Sequence, residues 1–283
     1  MKFSLSGFDD LNFQIVREME NNSFLFNEGI EIDNFFGTFN NIPWNGGRID
    51  VGVPTRLSEV ETFVKRVNDL GIGVRFTFSN LLLEKKHLGD YYANEVCEIA
   101  HNEMNSITIG SDILREYMRK TYPKYKLVSS ITRVNRDINW TKEQLELFDY
   151  VVLPIEYNRK LKLIDSLPHK EKIEILVNES CVPFCKIKSQ HYIASSRDNL
   201  SLSGYNDGLE YGECPMNDPN IENTKVLTWE EILELNNIGI ENFKFLGRKL
   251  LFLHRYQDIL NTFIKPEHRQ EVFDISVFTD ENT

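Results

Sequence analysis

Cys181 and Cys185 flank Val182, Pro183 and Phe184 in LVNESCVPFCKIKSQHY, directly after a run that reads as a buried strand. Pro183 has no backbone donor to lose and suits the first turn of a helix, which puts the pair at a strand-to-helix corner. Residues four apart in one helical turn share a face, so both sulfurs would point to one place. Beside a helix N-terminus their thiolates would be favoured and would be competent ligands. Two ligands do not close a metal site. Cys214, in GYNDGLEYGECPMND between Gly212 and Pro215, is the third candidate. Three cysteines and a fourth ligand can hold a [4Fe–4S] cluster. Alternatively, His191 could complete a tetrahedral zinc ion. The plain alternative is a set of buried thiols that only pack. The fourth cysteine, Cys97, lies at helical spacing from Ala93 and Ala100 and is expected in the core.

A second set of candidates stands where strand-like runs end: Ser79, Asn80, Ser111, Asp112, Thr132, Arg133, Glu156, Tyr157, Asn158, Arg159, Asn178, Glu179, Lys244 and Arg248. Asn, Ser and Asp at such points serve equally as helix caps and turn residues. Glu156 and Arg159 are harder to dismiss, because a carboxylate among apolar residues needs a partner. They pair with each other or act in proton transfer. WNGGR (44–48) is a turn that delivers Arg48 just beyond two glycines, and a rigidly held arginine suits carboxylate or phosphate capture. Arg48, Glu156, Arg159 and Arg248 are therefore the expected catalytic set, orienting substrate and moving protons.

These residues need a scaffold that gathers strand ends. Strand-like runs at 31–39, 74–80, 106–111, 126–133, 149–158, 172–180 and 241–248 alternate with helix-like ones. The helical patterns include Val60, Phe63, Val64, Val67 and Leu70 behind Ser58, and a segment behind Thr141 as cap. About six strand–helix units with short links predict parallel strands joined by crossover helices. VVLPI and IEILV are apolar nearly throughout, as strands covered on both faces are. One or two further strands could lie in MKFSLSG and near Lys225 to Leu227. No G-x-G-x-x-G turn or P-loop points to a nucleotide at the switch point of an open sheet. The expected fold is a TIM-like (β/α) barrel, one domain over 1–283, with an irregular cysteine-containing insertion at about 195–224. In such a barrel the active face lies where the strands end.

Composition narrows the partners. The 283 residues carry a formal net charge of −11, which argues against duplex nucleic acid, whose binding rests on Lys and Arg at phosphates. No apolar run approaches the roughly 18 to 20 residues needed to span a bilayer. MKFSLSGFDD has no sustained apolar stretch and meets acid early, so a cytoplasmic setting with reduced thiols is expected. A small-molecule or tethered substrate is the expected ligand, and a partner protein or a homodimer is possible.

EILVNESCVPFC followed by GIENFKFLGR resembles the collagenase-like peptidase family of unassigned mechanism (peptidase clan U, family thirty-two). The counterparts are Cys181 and the run Gly239, Ile240, Phe243, Lys244, Gly247 and Arg248, within a resemblance over roughly 70–250. The family's usual motif has more cysteines at wider spacing, so this chain reads as a divergent member. The resemblance implies a (β/α) barrel. Through relatives that hydroxylate ubiquinone or RNA bases without oxygen, it also implies a [4Fe–4S] cluster at Cys181, Cys185 and Cys214. Three functions follow. The first is an oxygen-independent redox or hydroxylation-type enzyme. The second is a hydrolase, metal-assisted or with Cys181 as nucleophile and His191 as base. The third is a non-enzymatic accessory subunit. No G-x-S-x-G, H-E-x-x-H or papain-like signature is present.

Overall fold

In β1 (Lys2–Ser6), Phe3 and Leu5 alternate with Ser4 and Ser6, a period of two that turns one pair outward and the other inward. The same alternation recurs in β2 (Glu31–Gly37), β3 (Gly73–Phe76), β4 (Ser106–Ile109), β5 (Lys126–Ser129), β6 (Tyr150–Val152), β7 (Ile173–Leu176) and β8 (Asn242–Phe245). The computed structural model describes residues 1–47, 50–179, 181, 184–202, 226–247 and 252–269. Its strands pair in chain order, all parallel, and the sheet closes where Lys2 faces Asn242 and Ser4 faces Lys244. The result is the single-domain TIM-like barrel that the alternation predicts, with MKFSLSG supplying the eighth strand. The described residues around Leu227 form no strand; its N–H donates to the Val177 carbonyl at 2.8 Å.

Each strand runs into helical structure. In order these are α1 (Asp10–Asn21), α2 (Leu57–Asn68), α3 (Tyr91–Ile99), α4 (Asp112–Thr121), α5 (Ile138–Leu147) and α6 (Leu161–Asp165). After β7 come α7 (Lys188–Ser201) and α8 (Trp229–Asn237), and α9 (Phe252–Phe263) follows β8. Outward-facing Phe3, Phe35, Val74, Ile107, Leu127, Ile175 and Phe243 pack with Val60, Val64 and Val67 of α2 and with Leu114 and Met118 of α4. Full burial of each such side chain contributes roughly 1.5–3 kcal/mol. Cys97 is buried in this layer, as its spacing implies. Leu70 is not: α2 ends at Asn68, and Leu70 is exposed.

Caps differ from the sequence reading in two places. Helix α5 starts behind Asp137, whose carboxylate accepts from the Asn139 N–H at 2.9 Å, so Thr141 falls inside the first turn. Arg56, not Ser58, occupies the cap position of α2. At α3 the cap is Asp90, whose Oδ1 accepts from the Ala93 N–H at 2.8 Å. Asp90→Ala is expected to cost about 1 kcal/mol in a urea titration by leaving that N–H unmet. Residues 195–201, read from sequence as the start of an irregular stretch, belong to α7. Among the described residues no helix is long and apolar enough to cross a membrane.

Candidate active site at the barrel mouth

The barrel interior is only thinly apolar. Phe36, Val128, Val152, Leu176 and Leu246 form a small cluster separate from the outer core. The remaining space is polar and charged. Glu174, in the middle of β7, accepts from Arg75 Nη1 at 2.5 Å and from Ser4 Oγ at 3.0 Å. Arg75 Nε donates to Ser106 Oγ at 3.0 Å, and Asn34 Nδ2 donates to Ser4 Oγ at 2.9 Å. Lys244 Nζ lies 3.9 Å from the other Glu174 oxygen and 4.0 Å from the centre of the Phe36 ring. Burial alone would push the Glu174 carboxyl up. The charges of Arg75 and then Lys244, with the hydrogen bonds, hold it below the ordinary carboxylate range. It is therefore a buried anion between two buried cations.

Above this floor opens a cavity of about 250 Å³. Ser6, Thr38, Thr77, Ser79, Thr108, Ser130 and Thr132 line it with hydroxyls, and Lys244 is its buried cation. Phe8, Phe36, Ile131, Val152 and Leu246 supply the apolar wall. The volume lies just below the roughly 300–1,000 Å³ of drug-sized ligand pockets, so it suits a small molecule or the end of a longer one.

A second polar cluster sits on the rim where β7 ends. Glu179 Oε1 accepts from the Cys181 N–H at 3.1 Å, while its Oε2 meets Lys188 Nζ at 3.2 Å. Glu156 Oε1 accepts from Arg136 Nη2 at 2.8 Å and from the Phe184 N–H at 3.1 Å. Two carboxylates thus hold the backbone of the cysteine loop from both ends. Burial would lower the Lys188 ammonium. The nearby Glu179 first, then Tyr192, Cys181 and Glu156, more than offset it and raise its pKa, so Lys188 is a buried cation joined to the Cys181 backbone through Glu179. Burial also acts to raise Glu156, but its hydrogen bonds with its own backbone and Arg136, and the charge of Lys188, bring it below the ordinary range. Ile131 connects the two regions: it lines the cavity and also a crevice formed with Arg136, Glu156 and Lys188.

The sequence of known protein families and that of curated proteins offer no match to this chain. Among solved structures, one described as the U32 peptidase Mk0906 matches at a TM-score of 0.55 and 12% identity. The alignment covers 88% of this chain and 93% of that one. The chain folds as a U32-peptidase-like barrel. At this identity the likeness is one of fold, and it agrees with the resemblance carried by the cysteine loop and the β8 segment.

The sequence-predicted residues fall into three groups on this barrel. Arg48, Cys214 and Arg248 lie outside the described residues. Arg159 is turned to the outside, where Nε and Nη2 grip Glu231 of α8 at 2.6 and 2.9 Å. Its partner is thus Glu231, while Glu156 takes Arg136. Glu156, Cys181 and Cys185 belong to the rim region, and His191 lies in the first turn of α7. The cysteine pair does not occupy one helical turn: Phe184 between them has φ of 57°, a left-handed conformation, and the helix begins only at Lys188. Cys185 is buried and Cys181 half-buried, and neither forms a disulfide. Among the described residues no three of His, Cys, Asp and Glu converge as a metal-binding group. The described donors alone therefore do not make up a cluster or zinc set. Sequence reasoning missed Arg75 and Glu174. The available signal was one charge in the middle of each of three short strands, GVRF, IEIL and NFKF.

Proposed function

We propose that the chain is an enzyme that acts at the barrel mouth on a small polar substrate, or on the end of a tethered one, with Cys181 as its reactive group. The observation that carries this reading is the rim arrangement. A half-buried cysteine just past β7 is held through its N–H by Glu179, whose other oxygen meets the buried Lys188 cation at 3.2 Å. A cation beside a cysteine favours the thiolate, which is the nucleophilic form. The chemistry this suits is hydrolysis of a peptide-like or other acyl bond, in keeping with the peptidase name of the structural neighbour. The thiolate adds to the carbonyl carbon, the C–N bond breaks as the amine takes a proton from solvent, and water then hydrolyses the thioester to the acid and restores the thiolate.

A second reading is favoured by the closeness of Cys185 on the same loop. Cys181, Cys185 and Cys214 would hold a [4Fe–4S] cluster that supplies electrons for oxygen-independent hydroxylation, as the sequence resemblance implies. One pair of measurements separates the readings. Protein purified without oxygen is assayed for iron, sulfide and charge-transfer absorbance, and its turnover of a peptide and small-amide library is compared with that of Cys181→Ala. Colourless, iron-free protein whose turnover falls by about two orders of magnitude in the variant supports the hydrolase. Brown protein with near-stoichiometric iron, lost in the variant, supports the cluster. Iron-free protein whose turnover is unchanged in Cys181→Ala overturns both.

A further inference from the structure

We propose that the mouth cavity is an oxyanion site, taking the carboxylate or phosphate of a small substrate on Lys244 Nζ and the hydroxyls of Ser6 and Thr108. This names the substrate class of the mouth and rests on the mouth being the place of reaction.

The first observation is two orphaned hydroxyls. Ser6 Oγ and Thr108 Oγ1 are buried, line the cavity, and have no hydrogen-bond partner among the described residues. Ser6 is 2% and Thr108 4% exposed. A buried hydroxyl without a partner costs about 1–3 kcal/mol. Neighbouring hydroxyls show that the cavity wall can satisfy such groups internally. Thr132 Oγ1 donates to the Ser79 carbonyl at 3.1 Å, and Thr77 Oγ1 donates to the Gly37 carbonyl at 3.2 Å. Ser6 and Thr108 line the same cavity with their oxygens left unpartnered.

The second observation is charge. Among the described residues, Arg75 and Lys244 are buried in the barrel interior against Glu174, and Arg75 also has the partly exposed Asp33 at 4.0 Å. Arg75 lies deeper, between Glu174 and Ser106, whereas Lys244 also lines the cavity. Lys244 is therefore the one cation among the described lining residues, with Asp50 as the carboxylate of the same lining, and the low-dielectric walls of the barrel strengthen the field of the buried ammonium. Hydroxyl donors around one fixed ammonium suit an oxyanion, because hydrogen bonds to a charged acceptor are about twice as strong as neutral ones. The apolar wall of Phe36, Val152 and Leu246 accommodates the uncharged part of the same molecule.

The test is calorimetric titration of the full chain with inorganic phosphate and separately with acetate, at fixed ionic strength. Thermal melting with the same anions runs alongside. Binding of one anion in preference to the other identifies the headgroup. Thr108→Val keeps the side-chain shape and removes only the orphan hydroxyl, and it should weaken the preferred anion about tenfold while the protein melts at or above the wild-type temperature. Lys244→Met keeps an apolar stem over Phe36 and should weaken it further. Cys181→Ala should bind the anion as wild type does. Loss of turnover there with retained anion binding keeps both readings, whereas retained turnover removes the cysteine chemistry and leaves the anion site. The proposal is overturned if neither anion binds, or if Thr108→Val binds as tightly as wild type.

Discussion

Replacing Glu174 with alanine is expected to lower the unfolding free energy by roughly 3–5 kcal/mol, the usual cost of removing one partner from a buried ion pair. Glu174 and Arg75 are 1% and 3% exposed, so no solvent relieves the charges left behind. The variant leaves Arg75 and Lys244 facing each other across the barrel interior without the anion between them. Urea denaturation of wild type and variant measures the loss. A difference below about 1 kcal/mol would mean that water or another carboxylate had already neutralised the interior. The pH profile provides an independent check. The folded Glu174 carboxyl lies below its ordinary value of 4.5, so its contribution is complete above that value and disappears as the pH falls through the folded one. Wild-type stability should therefore fall on acidification below about pH 4.5, and Glu174→Gln should flatten that part of the curve. Removing all three charges together, as Arg75→Met, Glu174→Leu and Lys244→Met, should recover much of the single-variant loss, because apolar replacement of a whole buried charge group is often neutral.

The barrel was legible in the sequence because its outer layer obeys simple periods. Phe3 and Leu5, or Ile173 and Ile175, alternate by two, and Val60, Val64 and Val67 recur by three and four. What these periods do not encode is the inside of the ring. A closed parallel barrel buries both strand faces, so IEIL reads as apolar on either side, and one glutamate in it looks like noise. Only closure explains it, since closure brings Arg75 from β3 across the ring to β7, where the neighbouring β8 supplies Lys244. The extent of helix α7, which the spacing started near Pro183 and stopped before Ser195, was hidden for a related reason. Its buried face carries Lys188, Ser195, Ser196, Asp198 and Asn199, so no apolar stripe marks it. These side chains secure neighbouring loops: Asn199 Oδ1 accepts from the Asp50 N–H at 3.1 Å, and Ser196 Oγ from the Leu81 N–H at 3.1 Å. The cysteine pair was visible by spacing. Its geometry was not, because a left-handed Phe184 breaks the helical turn that the spacing suggested.

Gly110→Ala is expected to destabilise the protein by about 3 kcal/mol, at the top of the range for overpacking, and to abolish anion binding at the mouth. The reason lies in how the ends of β3 and β4 meet the WNGG turn. A Cβ on Gly110 would overlap the carbonyl of Ser79, and one on Gly46 would overlap the same peptide unit. The Ser79 backbone is therefore enclosed between two glycines. It is fixed there by other bonds: the Asn80 N–H donates to the Trp44 carbonyl at 3.0 Å, and Asn80 Nδ2 to the Pro43 carbonyl at 2.8 Å. Trp44 is itself buried, with Nε1 donating to the His87 carbonyl at 2.7 Å. The backbone cannot withdraw without opening this network, so the added methyl must displace the strand end. Ser79 and Thr132, which share a hydrogen bond, both line the cavity, and Thr108 precedes Gly110 by two residues on β4. Gly89→Ala is the matched control. Nothing lies within 4 Å of its added Cβ, and its stability should stay within about 1 kcal/mol of wild type. Equal melting temperatures for the Gly110 and Gly89 variants would show that the strand ends yield freely and that the mouth is not held rigid by this contact.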